Sequence, residues 1–468
     1  MQIFAIAVFV IVCVCALFDF KRTVLIWMPV QFLFNSQIAV RYASPGMALN
    51  IAVDFGLLAI FWLKLRGHER EFHLNEEPFL FTPLLVLSIL SFLFTTIWAI
   101  VPLSAGVVAT VKYFLITFST IYIYQKVLND EQDIRLCVRT CAVVIALMTL
   151  LGLYESIMKD NPWLDVVYML SPHDETTRGR MWYVPPFISA SGTVQMRFGL
   201  VRAYSFRGIH IDFGNLCVMF SYLAFTLLKN RWHFGISKTW WIILGMLLCS
   251  GVFLANSKAG MVGFVFLLLA FAKMEHVMRP IVIIPVALLV VVLLVYVPEL
   301  LDNYVSLFDE KVAEEGGGSS VALRKMQWQV VKRLFNMNPL FGNGIGSIEL
   351  MKKRVGFEDI LGAESAYFKI LPERGILGLV CYFYCYVLFF KIMRQYIPLK
   401  ETFFFLLALF VIEGVSGTIS VACYGFIVLM VRRCYQIARA NTNAQLSEEQ
   451  SPAESSPSHA EEQLAPSP

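Results

Sequence analysis

Three separated stretches of this chain carry side chains able to grip an anion and move a proton. The first reads Arg202-Ala203-Tyr204-Ser205-Phe206-Arg207-Gly208-Ile209-His210-Ile211-Asp212-Phe213-Gly214-Asn215, a polar run leading straight into an apolar one. Two arginines at this spacing can hold a phosphate group through bidentate, charge-assisted hydrogen bonds, and the same residues can anchor to lipid headgroups. His210 has two readings, a substrate contact or a packed interfacial ring, and Asp212 can simply pair with a neighbouring arginine. The second stretch is Asn256-Ser257-Lys258-Ala259-Gly260, where Lys258 either meets phosphate or snorkels from a helix end.

The third stretch is longer. It holds Arg324-Lys325-Met326-Gln327-Trp328, then Asn338-Pro339-Leu340-Phe341-Gly342-Asn343-Gly344-Ile345-Gly346, then Glu364-Ser365-Ala366-Tyr367, then Glu373-Arg374-Gly375-Ile376-Leu377-Gly378. Gly342, Gly344 and Gly346 permit close approach of a backbone to a ligand, but no Lys-Ser/Thr follows them and no βα context surrounds them. A nucleotide phosphate loop is therefore not expected. Glu364 beside a basic loop can take a proton from an attacking hydroxyl, or serve as an ion-pair partner.

What must position these residues is a membrane domain. The 468 residues are 58% hydrophobic and 15% charged, with 39 Phe, well below the charge of a soluble chain, which is about a quarter. The apolar residues fall in runs at about 2–18, 23–42, 47–66, 79–101, 104–127, 137–157, 210–228, 239–255, 259–273, 280–298, 366–391 and 402–431. Most have the length a helix needs to cross hydrocarbon. The last is too long for one span and is interrupted by Glu413-Gly414-Val415-Ser416-Gly417, so it is either one tilted helix or two short ones. The expected fold is all-α: a polytopic transmembrane helical bundle of 12–13 spans occupying residues 1–440. The first run lacks a basic segment before it and a cleavage site after it, which reads as a retained span.

Basic clusters at Lys21-Arg22, Lys64 to Arg70, Lys126 and Arg135, Lys229 to Lys238, Lys273 and Arg279, Lys391 to Lys400 and Arg432-Arg433 mark cytoplasmic loops by the positive-inside tendency. Alternation then puts the loops at about 159–209 and 299–365, and the turn at Asn256 to Lys258, on the outer face, with thirteen spans and an external N-terminus. Residues 441–468, rich in Ser, Pro, Glu and Gln, read as a disordered cytoplasmic tail. The net charge of +4 is spread through loops with no basic, aromatic-interleaved patch, so no nucleic-acid partner is expected. The ten cysteines lie in or beside apolar runs, where packing is expected rather than disulfides or zinc. Asp54, Lys112, Glu155 and Glu413 are ionisable at membrane depth and could line the proton path of a transporter or flippase, although no internal repeat of the kind transporters show is found.

In this order, the polar arginine-rich approach to a span, the Ser257-Lys258-Ala259-Gly260 turn, the Arg324/Trp328 pair, the Asn338 to Gly346 stretch and the Glu373 to Gly378 element resemble the O-antigen ligase and polymerase family of bacterial envelope glycosyltransferases. The resemblance covers about residues 200 to 380. It implies a GT-C-like membrane fold with a large periplasmic loop between late spans, in the bacterial inner membrane. It also implies a donor glycan on undecaprenyl pyrophosphate, with neither cofactor nor metal. Arg202, Arg207, Lys258 and Arg324 would bind the diphosphate, Glu364 would act as base, and His210, Trp328, Asn343 and Tyr367 would be candidate acceptor or glycan contacts. Where ligases of the family carry a His-Asn pair, this chain has Glu364-Ser365, which points to a polymerase of lipid-linked repeat units. An O-antigen ligase acting on lipid A core is the alternative. A chain-length regulator and a flippase are the partners such a polymerase implies.

Overall fold

The computed structural model describes residues 1–34, 38–41, 47–67, 78–97, 118–171, 196–197, 200–232, 234–272, 321–348, 365–416 and 421–450, with residues 103, 107 and 309 besides. Most of what is described is helical. Glu364, Lys112, Arg178, Arg180, Lys352, Lys353, Arg354 and the expected span at 280–298 lie outside the described residues.

Helices α1 (Gln2–Phe18) and α2 (Phe20–Val30) meet at Asp19, whose side chain accepts the amide of Arg22 at 3.0 Å and so caps α2. The apolar run expected to span from 23 to 42 does not form one helix. Pro29 sits near the end of α2, a 3-10 turn follows at Gln31–Leu33, and the chain then enters a small antiparallel pair, β1 (Ala39–Arg41) with β2 (Met47–Ala48). Proline removes one helical donor and crowds the preceding turn, so hydropathy alone overstates the length of the segment.

Four helices follow: α3 (Leu49–Gly67), α4 (Thr82–Ile97), α5 (Thr120–Val127) and α6 (Glu131–Met158). The N-terminus of α6 is fixed by a capping box in which Asp130 and Asp133 exchange side-chain and backbone hydrogen bonds. Lys21 reaches the same box, 2.8 Å from Asp133. The expected outer loop at 159–209 contains α7 (Pro162–Met169), capped by Asn161, and the short pair β3 (Met196–Arg197) and β4 (Leu200–Val201).

The centre is built from α8 (His210–Asn230), α9 (Lys238–Leu254) and α10 (Lys258–Phe271), close to the runs expected at 210–228, 239–255 and 259–273. Helix α8 is the most enclosed: Phe213, Cys217, Phe220, Tyr222 and Leu223 are all fully buried. After α11 (Val321–Met337) come α12 (Ala366–Arg394), α13 (Leu399–Ser416) and α14 (Val421–Gln450). Over the run expected at 402–431, helix is described up to Ser416 and again from Val421, and residues 417–420 lie outside the described residues. Helix α14 continues to Gln450, ten residues beyond Ala440, where the tail was expected to begin.

By length and composition, α6, α8 and α12 are long and apolar enough to cross a membrane. Helices α1, α9 and α10 are apolar but shorter. About 20 residues at 1.5 Å each are needed for ~30 Å of hydrocarbon, and among the described residues α6, α8 and α12 combine that length with the required apolarity.

The end of the bundle that carries the arginines

The segment from Arg202 to His210 is not a loose loop. It is held from within by Glu155, a fully buried carboxylate in the last turn of α6. One oxygen of Glu155, Oε2, accepts from the amides of Tyr204 and Ser205, each at 2.8 Å, and from Asn161 Nδ2 at 2.9 Å. Ser205 takes a left-handed conformation (φ 52°), uncommon for a residue with a Cβ. Its environment compensates: its hydroxyl donates to Met148 O at 2.6 Å, and its carbonyl accepts from Asn161 Nδ2 at 2.9 Å. The amide of Ala203 donates to Leu254 O at 2.9 Å, tying the same segment to the end of α9. Burial pushes the Tyr204 phenol above its ordinary range, Arg202 nearby pulls it back, and Glu155 adds to the rise.

Arg207 is held as firmly. Nη1 donates to Phe34 O at 2.8 Å and lies 3.4 Å from Phe32 O, while Nη2 is 3.3 Å from Asp212 Oδ2. These carbonyls sit at and just past the 3-10 turn, where helical acceptors run out of partners and the dipole is negative. The pairing of Asp212 with an arginine is thus present. His210 opens α8, is 7% exposed, and meets the Tyr204 ring edge-on at 5.7 Å.

Lys258 is the first residue of α10 and is buried, at 8% exposure. The turn before it needs Asn256 in the left-handed region (φ 46°) and is closed by Ser257 as N-cap. Gly214 and Gly260 bring the starts of α8 and α10 together: a methyl group on Gly260 would lie 3.6 Å from the Gly214 backbone. Further along, Gly263 of α10 faces Ile412 and Ala408 of α13, and Lys400 at the start of α13 donates to Ala272 O just past α10, so these helices run antiparallel and the end of α13 lies beside the start of α10. There Arg324 Nη2 donates to Val415 O at 2.5 Å. Near the start of α14, Cys423 lies within electrostatic reach of both Arg207 and Asp212. Arg202, Arg207, Lys258 and Arg324 therefore belong to one end of the bundle. Lys229, Glu401 and Tyr435, joined in a separate network, mark the other.

The other expected contacts fare differently. Trp328 is 42% exposed with its ring 5.5 Å from that of Phe368. Tyr367 donates to Phe410 O at 2.7 Å and packs among Tyr382, Phe383 and Phe410. Asn343 is fully buried, and its Nδ2 donates to Leu334 O at 2.6 Å and Pro372 O at 3.1 Å. Its amide is thus occupied inside the protein. The glycines around it have a structural use: Gly342 and Gly344, with φ of 79° and 95°, let the loop lie backbone to backbone on α12. Gly344 N donates to Glu373 O at 3.0 Å, and Gly346 N donates to the Glu373 carboxylate at 2.8 Å. Helix α12 is broken at Gly375 (φ 65°, ψ −168°), and the amides freed by the break, those of Ile376 and Leu377, donate to Pro339 O and Leu340 O.

Glu155 and Glu373 are the residues that sequence reasoning placed without their roles. The Asn161-Pro162 pair, an N-cap signal six residues after Glu155, was the one local hint that a buried carboxylate had a fixed donor nearby. Of the membrane-depth ionisable groups, Asp54 receives Trp27 Nε1 at 3.4 Å, and Glu413 accepts from the hydroxyls of Tyr382 and Tyr386. Among the described residues no group of three or more His, Cys, Asp or Glu is arranged to hold a metal ion.

The fold and this cationic end define a helical membrane protein that gathers basic side chains at one face. Residues 242–383 match the family model described as O-antigen ligase, which supports assignment to the O-antigen ligase/polymerase family of membrane enzymes. The match takes in Lys258, Arg324, Trp328, Asn343, Glu364 and Tyr367, and begins after Arg202, Arg207 and His210. No curated protein matches the chain.

Proposed function

We propose that this protein is a glycosyltransferase that polymerises undecaprenyl-pyrophosphate-linked oligosaccharide repeat units at the periplasmic face of a bacterial inner membrane. The observation that carries this reading is the convergence of Arg202, Arg207, Lys258 and Arg324 on one end of the bundle. A lipid diphosphate leaving group presents its charge where membrane meets water, and fixed cations there stabilise the charge as it develops. Arg207, held by Phe34 O and Asp212, and Arg324, held by Val415 O, are fixed cations whose field reaches the diphosphate, with Arg202 and Lys258 beside them at the same end.

In the reaction a hydroxyl of the acceptor unit attacks the anomeric carbon of the donor. A glycosidic C–O bond forms, the glycosyl–phosphate bond breaks, and the diphosphate departs with the electron pair. Glu364 takes the hydroxyl proton. In the sequence it comes one residue before Ser365, the N-cap of α12. Breaking the glycosyl–phosphate bond drives the transfer, so no nucleotide is consumed.

Glu364-Ser365, where ligases of the family have His-Asn, favours the polymerase. The test is to incubate the purified chain in lipid with an undecaprenyl-pyrophosphate repeat unit and no lipid A. A glycan ladder that Glu364→Gln abolishes is the expected result. Transfer that occurs only after lipid A core is added makes the protein a ligase instead, and silence under both conditions removes the glycosyltransferase reading.

A further inference from the structure

We infer that Glu155 is a positioning residue for diphosphate binding: its carboxylate sets the backbone of Tyr204 and Ser205, and through it the placement of Arg202 and Arg207. The inference rests on the diphosphate-binding reading above and adds a residue outside the family match.

Three observations carry it. A single oxygen, Glu155 Oε2, accepts three hydrogen bonds of 2.8 to 2.9 Å, two of them from consecutive backbone amides. The two amides converge on one acceptor, and directly after them Ser205 turns the chain with a left-handed φ of 52°. Such a conformation in a residue with a side chain costs about 1–2 kcal/mol, so it persists because the surroundings over-determine it. The turn lies between the two arginines, three residues after Arg202 and two before Arg207.

The chemistry suits a rigid support better than a mobile group. Glu155 is completely enclosed, at 0% exposure, and so is Ser205. A carboxylate so placed cannot exchange with water or reach a substrate, and it acts only through the backbone it holds. Its other oxygen, Oε1, has no hydrogen-bond partner among the described residues. Glutamine keeps an oxygen for the three donors and matches the shape of the carboxylate. Alanine does neither, and it leaves two buried amides without an acceptor.

The experiment uses the full chain in lipid nanodiscs, with farnesyl diphosphate as the binding probe and hydrogen exchange read at the Tyr204 and Ser205 amides. Glu155→Ala is expected to deprotect both amides and to raise the Kd for the probe about tenfold or more, roughly the worth of one charge-assisted hydrogen bond. Glu155→Gln is expected to restore protection and most of the affinity. Should Glu155→Ala not fold, Asn161→Ala removes one of the three donors, together with the cap of α7 and the bond to Ser205 O, and is expected to weaken binding about threefold. Exchange at both amides unchanged by these variants overturns the inference, as does deprotection with unaltered affinity. If the unsubstituted protein itself fails to bind the probe, the diphosphate reading falls and this inference with it, an outcome distinct from the other two.

Discussion

Arg207 donates to the carbonyl oxygen of Phe34 at 2.8 Å, joining residues 173 positions apart. The bond links the start of α8 to the turn after α2, and Asp212 completes the guanidinium's environment at 3.3 Å. Replacing Arg207 with alanine removes both ties and leaves two carbonyls at a helix end without their donor. The expected loss is about 1.5–3 kcal/mol of stability, as for hydrogen bonds to a charged group. Arg202→Ala is expected to spare stability and reduce glycan transfer. Thermal unfolding in detergent, set beside transfer rates for the two variants, checks the distinction: equal melting losses would place both arginines in the framework.

The break in α12 gives a sharper contrast among glycines. A methyl group on Gly375 would stand 2.3 Å from Leu340 O, and one on Gly342 would stand 2.4 Å from Arg374 N. Both contacts are with backbone, so nothing flexible can yield. Gly346 has a similar φ of 84° but open space where its methyl group would be. Gly346→Ala should therefore cost only the left-handed penalty, about 1–2 kcal/mol, whereas Gly375→Ala and Gly342→Ala should abolish accumulation of folded protein. Fluorescence-detected size exclusion of the three variants measures this order.

Much of this architecture could be read from the residues, and the misses have physical causes. Helices α6, α8, α9 and α10 lie close to apolar runs because their ends carry local signals: the Asp130 cap, the Asn256 turn and the Ser257 cap. The run at 23–42 misled because hydropathy does not register Pro29 or the turn after it. In the site, the arginines and Lys258 could be chosen by charge and position. The role of Glu155 could not, since its partners Tyr204 and Ser205 lie 49 and 50 residues away and are bonded through backbone amides, which every residue possesses. The glycines at 342, 344 and 346 suggested approach to a ligand, but the approach they permit is to α12.

Asn343 separates a framework role from a ligand contact. Its NH2 faces two carbonyl oxygens, Leu334 O and Pro372 O, in a fully buried position. Asn343→Asp puts acceptor against acceptor there, with an expected cost of about 3 kcal/mol or more, since a buried charge is left without its donor. Asn343→Asp should thus melt well below the unsubstituted protein, with donor KM unchanged in whatever fraction remains folded. An unaltered melting temperature with a raised KM would return Asn343 to the glycan.

Glu413 decides between a structural carboxylate and a transport group. It is 2% exposed on α13 and accepts from the hydroxyls of Tyr382 and Tyr386, which lie one turn apart on α12. Two phenol donors on one face of a helix hold the carboxylate by hydrogen bonds that glutamine can also accept. Removing either hydroxyl leaves the other in place, so Tyr382→Phe and Tyr386→Phe should each cost about 1–2 kcal/mol. The double variant removes both phenol donors and should cost more than either single change. Glu413→Gln should keep glycan transfer within about threefold, as expected when an acceptor of the same shape remains. A coupling group in a transporter must lose and regain its proton, which glutamine cannot do. Proton-coupled flux in proteoliposomes that vanishes with Glu413→Gln would therefore speak for transport, whereas preserved glycan transfer in the same variant ties Glu413 to the packing of α12 on α13.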